Sequence, residues 1–230
     1  MPHLTSEARS HDARSHGATP HHAWTGELSS LSPLHLDALR EVANIGAGHA
    51  ATALSQMTER TILISVPTIN IARIEALPPQ LALGDEAVAG VLMTMLGDLS
   101  GRTLLVFPER TARRMAELML RRPSGSSAEM GELERSAVKE AGNILSGAYM
   151  NALAEFMGMI LLPSPPSLAV DDATSVVTTA LLQFSADRDY VFCVESEFMM
   201  QDVGEKLRGF FLLLPDYPSL QAMLRAVRLA

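Results

Sequence analysis

Two sets of polar residues stand at matching intervals in this chain. They are Asp37, Glu41, Asn44 and Gly48, and, at an offset of 99, Ser136, Glu140, Asn143 and Gly147. Each set holds a carboxylate, which can accept from a cation, and an amide, which both donates and accepts. At about 100° per residue on a helix, each set falls on one face. In the first segment the opposite face carries Leu39, Val42, Ala43, Gly46, Ala50, Ala53, Leu54 and Met57. In the second it carries Val138, Ala141, Gly142, Leu145, Tyr149, Ala152 and Phe156. The polar residues are therefore expected to project outward as a stripe about three turns long. One Glu and one Asn on an exposed face are ordinary solvated residues. Two facts argue for more: the stripe recurs, and each copy places a glycine inside a helix at a cost of about 1 kcal/mol relative to alanine. An exposed glycine suits a surface where something must approach the backbone closely. The alternative is that Gly48 and Gly147 relieve crowding within the fold.

The elements that must position these stripes also recur. Pro33 suits the first position of a helix that runs on from Leu34, with Ser32 as its N-cap. Thr61–Arg73 reads as a strand that Pro67 interrupts. Ala87–Leu96 and Arg102–Phe107 read as strands joined by a hairpin loop at Gly97–Gly101. A helix follows Pro108 to about Arg121, and Arg122–Ala128 is a linker. The second half repeats the order: a helix over about Gly131–Met157, then strands near Ile160–Ala169, Asp189–Glu197 and Arg208–Leu214. A last helix follows at Ser219–Leu229. Leu34 matches Leu133, Ile45 matches Ile144, Ala53-Leu54 matches Ala152-Leu153 and Pro67 matches Pro166 at the same offset of 99. The offset is 107 at Phe107-Pro108 and Leu214-Pro215. An internal duplication accounts for all of this. The expected fold is α+β, with two pseudo-symmetric halves (about 31–121 and 129–230), each reading helix, three strands, helix. An antiparallel sheet carries the two motif helices on its outside.

Composition narrows the chemistry. The 230 residues are 47% hydrophobic and 19% charged, which is globular. Residues 1–30 differ: they hold five of the seven histidines among small and polar residues, and read as a flexible tail. The net charge of −8 argues against nucleic acid. The single cysteine, Cys193, permits no internal disulfide and no cysteine-based zinc site, and reads as a buried inert thiol. No apolar run is long enough for a membrane helix, and no signal peptide is visible. A cytoplasmic monomer without membrane insertion is expected.

The pattern Asp or Ser, three residues, Glu, two residues, Asn, twenty-two residues, Pro occurs twice without gaps. It reads Asp37, Glu41, Asn44, Pro67 and again Ser136, Glu140, Asn143, Pro166. In this the chain resembles the CheC/CheX/FliY family of chemotaxis phosphatases over about residues 31–230. The resemblance implies hydrolysis of the phospho-aspartate of a CheY-like response regulator at two sites. Asn44 and Asn143 would orient the attacking water, and Glu41 and Glu140 would pair with the regulator's lysine. Asp37, Ser136, Gly48 and Gly147 would contribute partner contacts, and Pro67 and Pro166 would be structural. The chain would need no cofactor or metal of its own, because Mg²⁺, the phospho-acceptor and the lysine belong to the regulator. The family also offers the deamidase CheD as a partner. Its FliM-type relatives suggest the rival reading, a non-enzymatic adaptor that binds CheY or CheD.

Overall fold

The structure is a computed structural model, and it describes residues 33–73, 86–127, 129–182, 190–201 and 204–229. The expected tail and the expected cap Ser32 lie outside these residues. Helix α1 (Pro33–Thr58) leads to strands β1 (Ile62–Ile64) and β2 (Thr68–Arg73), then to the hairpin β3 (Ala87–Gly97) and β4 (Gly101–Pro108) and helix α2 (Glu109–Met119). The second half runs α3 (Glu132–Met157), β5 (Leu161–Pro163), β6 (Ser167–Asp172), α4 (Ala173–Leu182), β7 (Tyr190–Met200), β8 (Glu205–Pro215) and α5 (Tyr217–Leu229). Among the described residues no helix is long and apolar enough to cross a membrane.

The eight strands form one antiparallel sheet. Its order is β1-β7-β8-β4-β3-β5, with β2 continuing β1 along β7 and β6 continuing β5 along β3. The two hairpins meet at β4 and β8, where Gly101 pairs with Pro215 and Val106 with Phe210. The first strands cross over: β1 and β2 of the first half pair with β7 of the second, and β5 and β6 pair with β3 of the first. The registers match across the pseudo-two-fold. Ile62 opposite Met200 corresponds to Leu161 opposite Gly97, and Thr68 opposite Glu195 to Ser167 opposite Leu92. Each half thus closes the other's sheet edge, so neither half has a complete sheet alone.

Two expectations are corrected. Among the described residues each half has four strands, because its first strand is broken before Pro67 or Pro166; proline has no N–H for the ladder. A serine bridges each break. Ser65 N–H donates to the Glu197 carbonyl (2.9 Å), and its Oγ accepts the Glu197 N–H (3.1 Å). Ser164 does the same with Thr94, at 2.9 Å for both bonds. The second half also has an unexpected helix, α4, over Ala173–Leu182. Its valines and threonines favour strands, but Asp172 overrides them as an N-cap. The Asp172 carboxylate accepts the Ser175 N–H (2.9 Å) and the Ser175 hydroxyl. These hydrogen bonds from Ser175 hold the Asp172 carboxyl below its ordinary pKa.

The sheet is covered on both faces. In β3, Gly90 faces Val176 of α4, and the next residue, Val91, faces Gly142 of α3. On the α4 side, Val88, Leu104, Val106, Val176, Val177, Phe210 and Leu212 form one buried cluster. On the other side α1 and α3 pack against each other and against the sheet. Their contact at Gly46 needs a glycine: a Cβ there would sit 2.7 Å from Tyr149 Cδ1 and 3.0 Å from Tyr149 Cα. Tyr149 in turn stacks on Phe211 (centroids 4.7 Å apart) and shares a buried hydrogen bond with Ser196 (2.9 Å). Leu39, Val42, Ala43, Ala50 and Leu54 are buried as the pattern predicts; full burial of Leu54 alone contributes about 1.5–3 kcal/mol. Met57 is not: it is 45% exposed, and Ala53 and Phe156 are half-buried. Thr58 takes the last inward position instead and donates its hydroxyl to the Leu54 carbonyl at 2.7 Å.

Candidate functional site

Because α1 and α3 bury their small and apolar faces, their polar stripes are turned away from the sheet. On α1, Asp37, Glu41 and Gly48 are exposed and Asn44 is half-buried. On α3, Ser136 and Glu140 are exposed, and Asn143 and Gly147 are half-buried. Glu41 and Asn44 are three residues apart on one helix, as are Glu140 and Asn143, so their Cβ atoms lie about 5–6 Å apart. From Asp37 to Gly48 the stripe runs about 16 Å along the axis. Each helix therefore presents one carboxylate beside one amide whose edge is set slightly deeper. Such a pair can grip a cation with the acid and leave the amide free to hold a small polar molecule next to it.

The glycines separate into two kinds. A Cβ on Gly142 would fall 2.6 Å from Val91 Cγ1, as one on Gly46 would strike Tyr149. A Cβ on Gly48 or Gly147 would meet nothing within 4 Å. Crowding inside the fold accounts for the first pair and not for the second. Each stripe thus has an interior helical glycine with open space above it.

Asp37 is engaged within its own helix: its Oδ1 accepts from Arg40 Nη1 at 2.6 Å. Both side chains are more than half exposed, so the pair is well screened and contributes little to stability. At the matching positions α3 has Ser136 and Lys139. The carboxylate is replaced, but a cation remains one turn before the asparagine. Arg40 and Lys139 were not singled out from sequence, although the offset of 99 aligns them.

The prolines lie apart from the stripes, at the sheet. Pro67 is buried immediately before β2, and Pro166 is half-buried immediately before β6. Ser65 and Ser164 precede them by two residues and were also missed by the sequence reading, though they too align at the offset of 99. Cys193 is buried in β7. Burial, reinforced by Glu195 and opposed by Arg208, pushes its thiol up to about 12. It is therefore protonated at neutral pH. Among the described residues no three or more His, Cys, Asp or Glu side chains are grouped so as to hold a metal ion.

This arrangement has known counterparts. The profile of the CheC-like family matches residues 34–71 and 133–170, the two motif helices with the strands that follow them. The chain is 31% identical over 202 residues to the CheY-P phosphatase CheC of Bacillus subtilis, covering 87% of this chain and 97% of that one. It is 24% identical to the putative CheY-P phosphatase CheC1 of Halobacterium salinarum, over 84% of this chain and 95% of that one. The crystal structure of Thermotoga maritima FliY has the same fold, with a TM-score of 0.70 at 24% identity, over 86% of this chain and 98% of that one. The duplicated profile, the identity along almost the whole of the CheC sequence and the shared fold lead to one conclusion: this chain belongs to the CheC-like family of chemotaxis proteins.

Proposed function

We propose that the chain is a phosphatase for the phospho-aspartate of a CheY-like response regulator, acting through two equivalent stripes. An acyl phosphate needs little covalent help. It needs a water held in line with the leaving carboxylate and a site that does not repel the phosphoryl charge. In this reading the amide of Asn44 or Asn143 enters the regulator's active site and orients that water. A neutral amide can do so where a carboxylate would repel the phosphoryl oxygens. Glu41 or Glu140 pairs with the regulator's lysine and fixes the register of docking. Mg²⁺ and the phospho-acceptor are brought by the regulator, and the chain itself supplies only position and water. The water attacks phosphorus, the P–O bond to the aspartate breaks, and inorganic phosphate leaves.

The observation that carries this reading is the pair of glycines, Gly48 and Gly147, each with nothing near the place of a side chain. They leave room for a partner's backbone or loop one turn beyond each asparagine. The Bacillus subtilis relative, named as a CheY-P phosphatase, gives the substrate class. The test is phosphate release from an acetyl-phosphate-loaded CheY-like regulator with Mg²⁺. The double variant Asn44→Ala/Asn143→Ala is expected to lose on the order of 10²-fold in rate, and each single variant to keep the activity of the other stripe. A wild-type chain that leaves release unchanged with every regulator of its cell would refute the reading.

A further inference from the structure

The stripes are not purely polar. Leu34 is 73% exposed and its counterpart Leu133 is 52% exposed; Ile45 is 40% exposed, and its counterpart Ile144 is half-buried. Exposed aliphatic residues scattered singly need no explanation. These are not scattered. Leu34 and Glu41 are seven residues apart, which places them within about 20° on the helix surface and about 10 Å apart along its axis. Ile45 follows Asn44 in the chain and lies about 40° round the helix from Glu41, on the side away from the buried face. Each stripe therefore reads apolar, acid, amide with apolar neighbour, and glycine, over about 21 Å from Leu34 to Gly48. The two halves have diverged within these stripes: Asp37 is matched by Ser136 and His49 by Ala148. The leucine and isoleucine have stayed aliphatic, although the packing of α1 and α3 asks nothing of Leu34 or Leu133.

We infer that Leu34 with Ile45, and Leu133 with Ile144, form an apolar shoulder on which the phosphorylated regulator seats before its active site is engaged. The inference rests on the phosphatase reading above and adds the surface that determines affinity. The occupant is the receiver domain itself: a patch of its apolar surface beside the lysine that Glu41 or Glu140 grips. The argument for that occupant is continuity. Leu34 and Ile45 lie within about 20° and 40° of Glu41 round the helix, one on each side of it along the axis, on the outward face that also carries Asn44. A body large enough to present a phospho-aspartate to Asn44 covers Ile45 and extends toward Leu34. The shoulder then removes apolar surface from water on both partners, which strengthens ground state and transition state alike. It lowers KM and leaves kcat alone.

The experiment compares steady-state phosphate release, and binding of the beryllofluoride-loaded regulator, for three variants. Leu34→Ser/Leu133→Ser is expected to raise KM and Kd about tenfold with kcat within a factor of two. Leu34→Met/Leu133→Met keeps the apolar area and is expected to keep wild-type values. Leu96→Ser removes a leucine of similar exposure on β3, off the stripes, and is the control. Wild-type KM and Kd in the serine variant would overturn the inference, as would an equal rise in the methionine variant or the control. If wild type releases no phosphate, the phosphatase reading has failed, and the beryllofluoride titration still decides whether the leucines dock the regulator.

Discussion

The clearest consequence of the two kinds of glycine concerns Gly48→Ala/Gly147→Ala. A glycine inside a helix is less favourable than alanine by about 0.5–1 kcal/mol, chiefly because it loses more backbone freedom on folding. At both sites the new methyl meets nothing within 4 Å, so no steric term offsets the gain. The double variant is therefore expected to be more stable by about 1–2 kcal/mol. For a chain of this size that is a rise in Tm of about 2–8 °C. In the phosphatase reading the same methyls stand where the regulator approaches, one turn past each asparagine, so KM for the phosphorylated regulator is expected to rise about tenfold. Urea unfolding and calorimetry measure the first effect, and phosphate release against regulator concentration measures the second. A more stable protein with unchanged KM would refute the close-approach argument and leave the glycines without a role. No gain in stability would refute the geometry from which the argument starts. Gly46→Ala separates the two classes within one helix. Its methyl would fall 3.0 Å from the backbone of Tyr149, which cannot yield as a side chain can, and this variant should lose stability.

Three further outcomes follow from the packing and the titrating groups. Gly142→Ala places a methyl 2.6–2.9 Å from three atoms of Val91 and should destabilise by about 1–3 kcal/mol, read as a lower urea midpoint with unchanged slope. Cys193, its thiol pushed up to about 12 by burial, should resist alkylation by iodoacetamide at pH 8 in the native protein and react on unfolding; fast native reaction would show that β7 opens. Hydrogen bonds from the Ser175 hydroxyl and N–H hold the Asp172 carboxyl below its ordinary range, so its cap on α4 is fully in place above the ordinary aspartate pKa and is lost as pH falls through the depressed value. The difference in urea midpoint between wild type and Asp172→Asn should therefore shrink between pH 6 and pH 3, and a constant difference would contradict the assignment.

The readable parts of this sequence are those in which local chemistry and long-range packing agree. α1 and α3 are long enough for their periodicity to show, and their buried faces are as expected except near the C-terminal ends, where Met57 turns out to solvent. The hairpin at Gly97 and Gly101 is legible because both residues take positive φ, a conformation that glycine enters without penalty. The strand breaks at Pro67 and Pro166 are visible, but their length is not. It is set by the paired bonds of Ser65 and Ser164 to strands more than a hundred residues away in one case and seventy in the other. α4 is illegible for a related reason. Its valines and threonines carry a strand signal, and only the Asp172–Ser175 cap and the cover that α4 gives to Gly90 and Val88 make it a helix. The exchange of first strands between the halves leaves no local mark at all, since it is a property of pairing.

That exchange bears on why two stripes persist. With β1 and β2 on β7, and β5 and β6 on β3, neither half could be discarded without opening an edge of the sheet. Folding therefore explains why both copies of the duplicated unit remain, and it accounts for matched residues such as Pro67 and Pro166, Ser65 and Ser164, or Leu54 and Leu153. It does not account for Glu41 and Glu140, Asn44 and Asn143, or Gly48 and Gly147. These three pairs face away from the sheet, bridge no strand and fill no core, and the glycines cost helix stability. These six residues, which the fold would allow to drift, have kept their identity in both halves, and they lie together on the two outward stripes. A single working stripe would have left the other free to lose its acid, amide and glycine separately. In the phosphatase reading, the survival of all three in each copy is the reason to expect that inactivating one asparagine leaves measurable phosphate release, and that only the double variant loses on the order of 10²-fold.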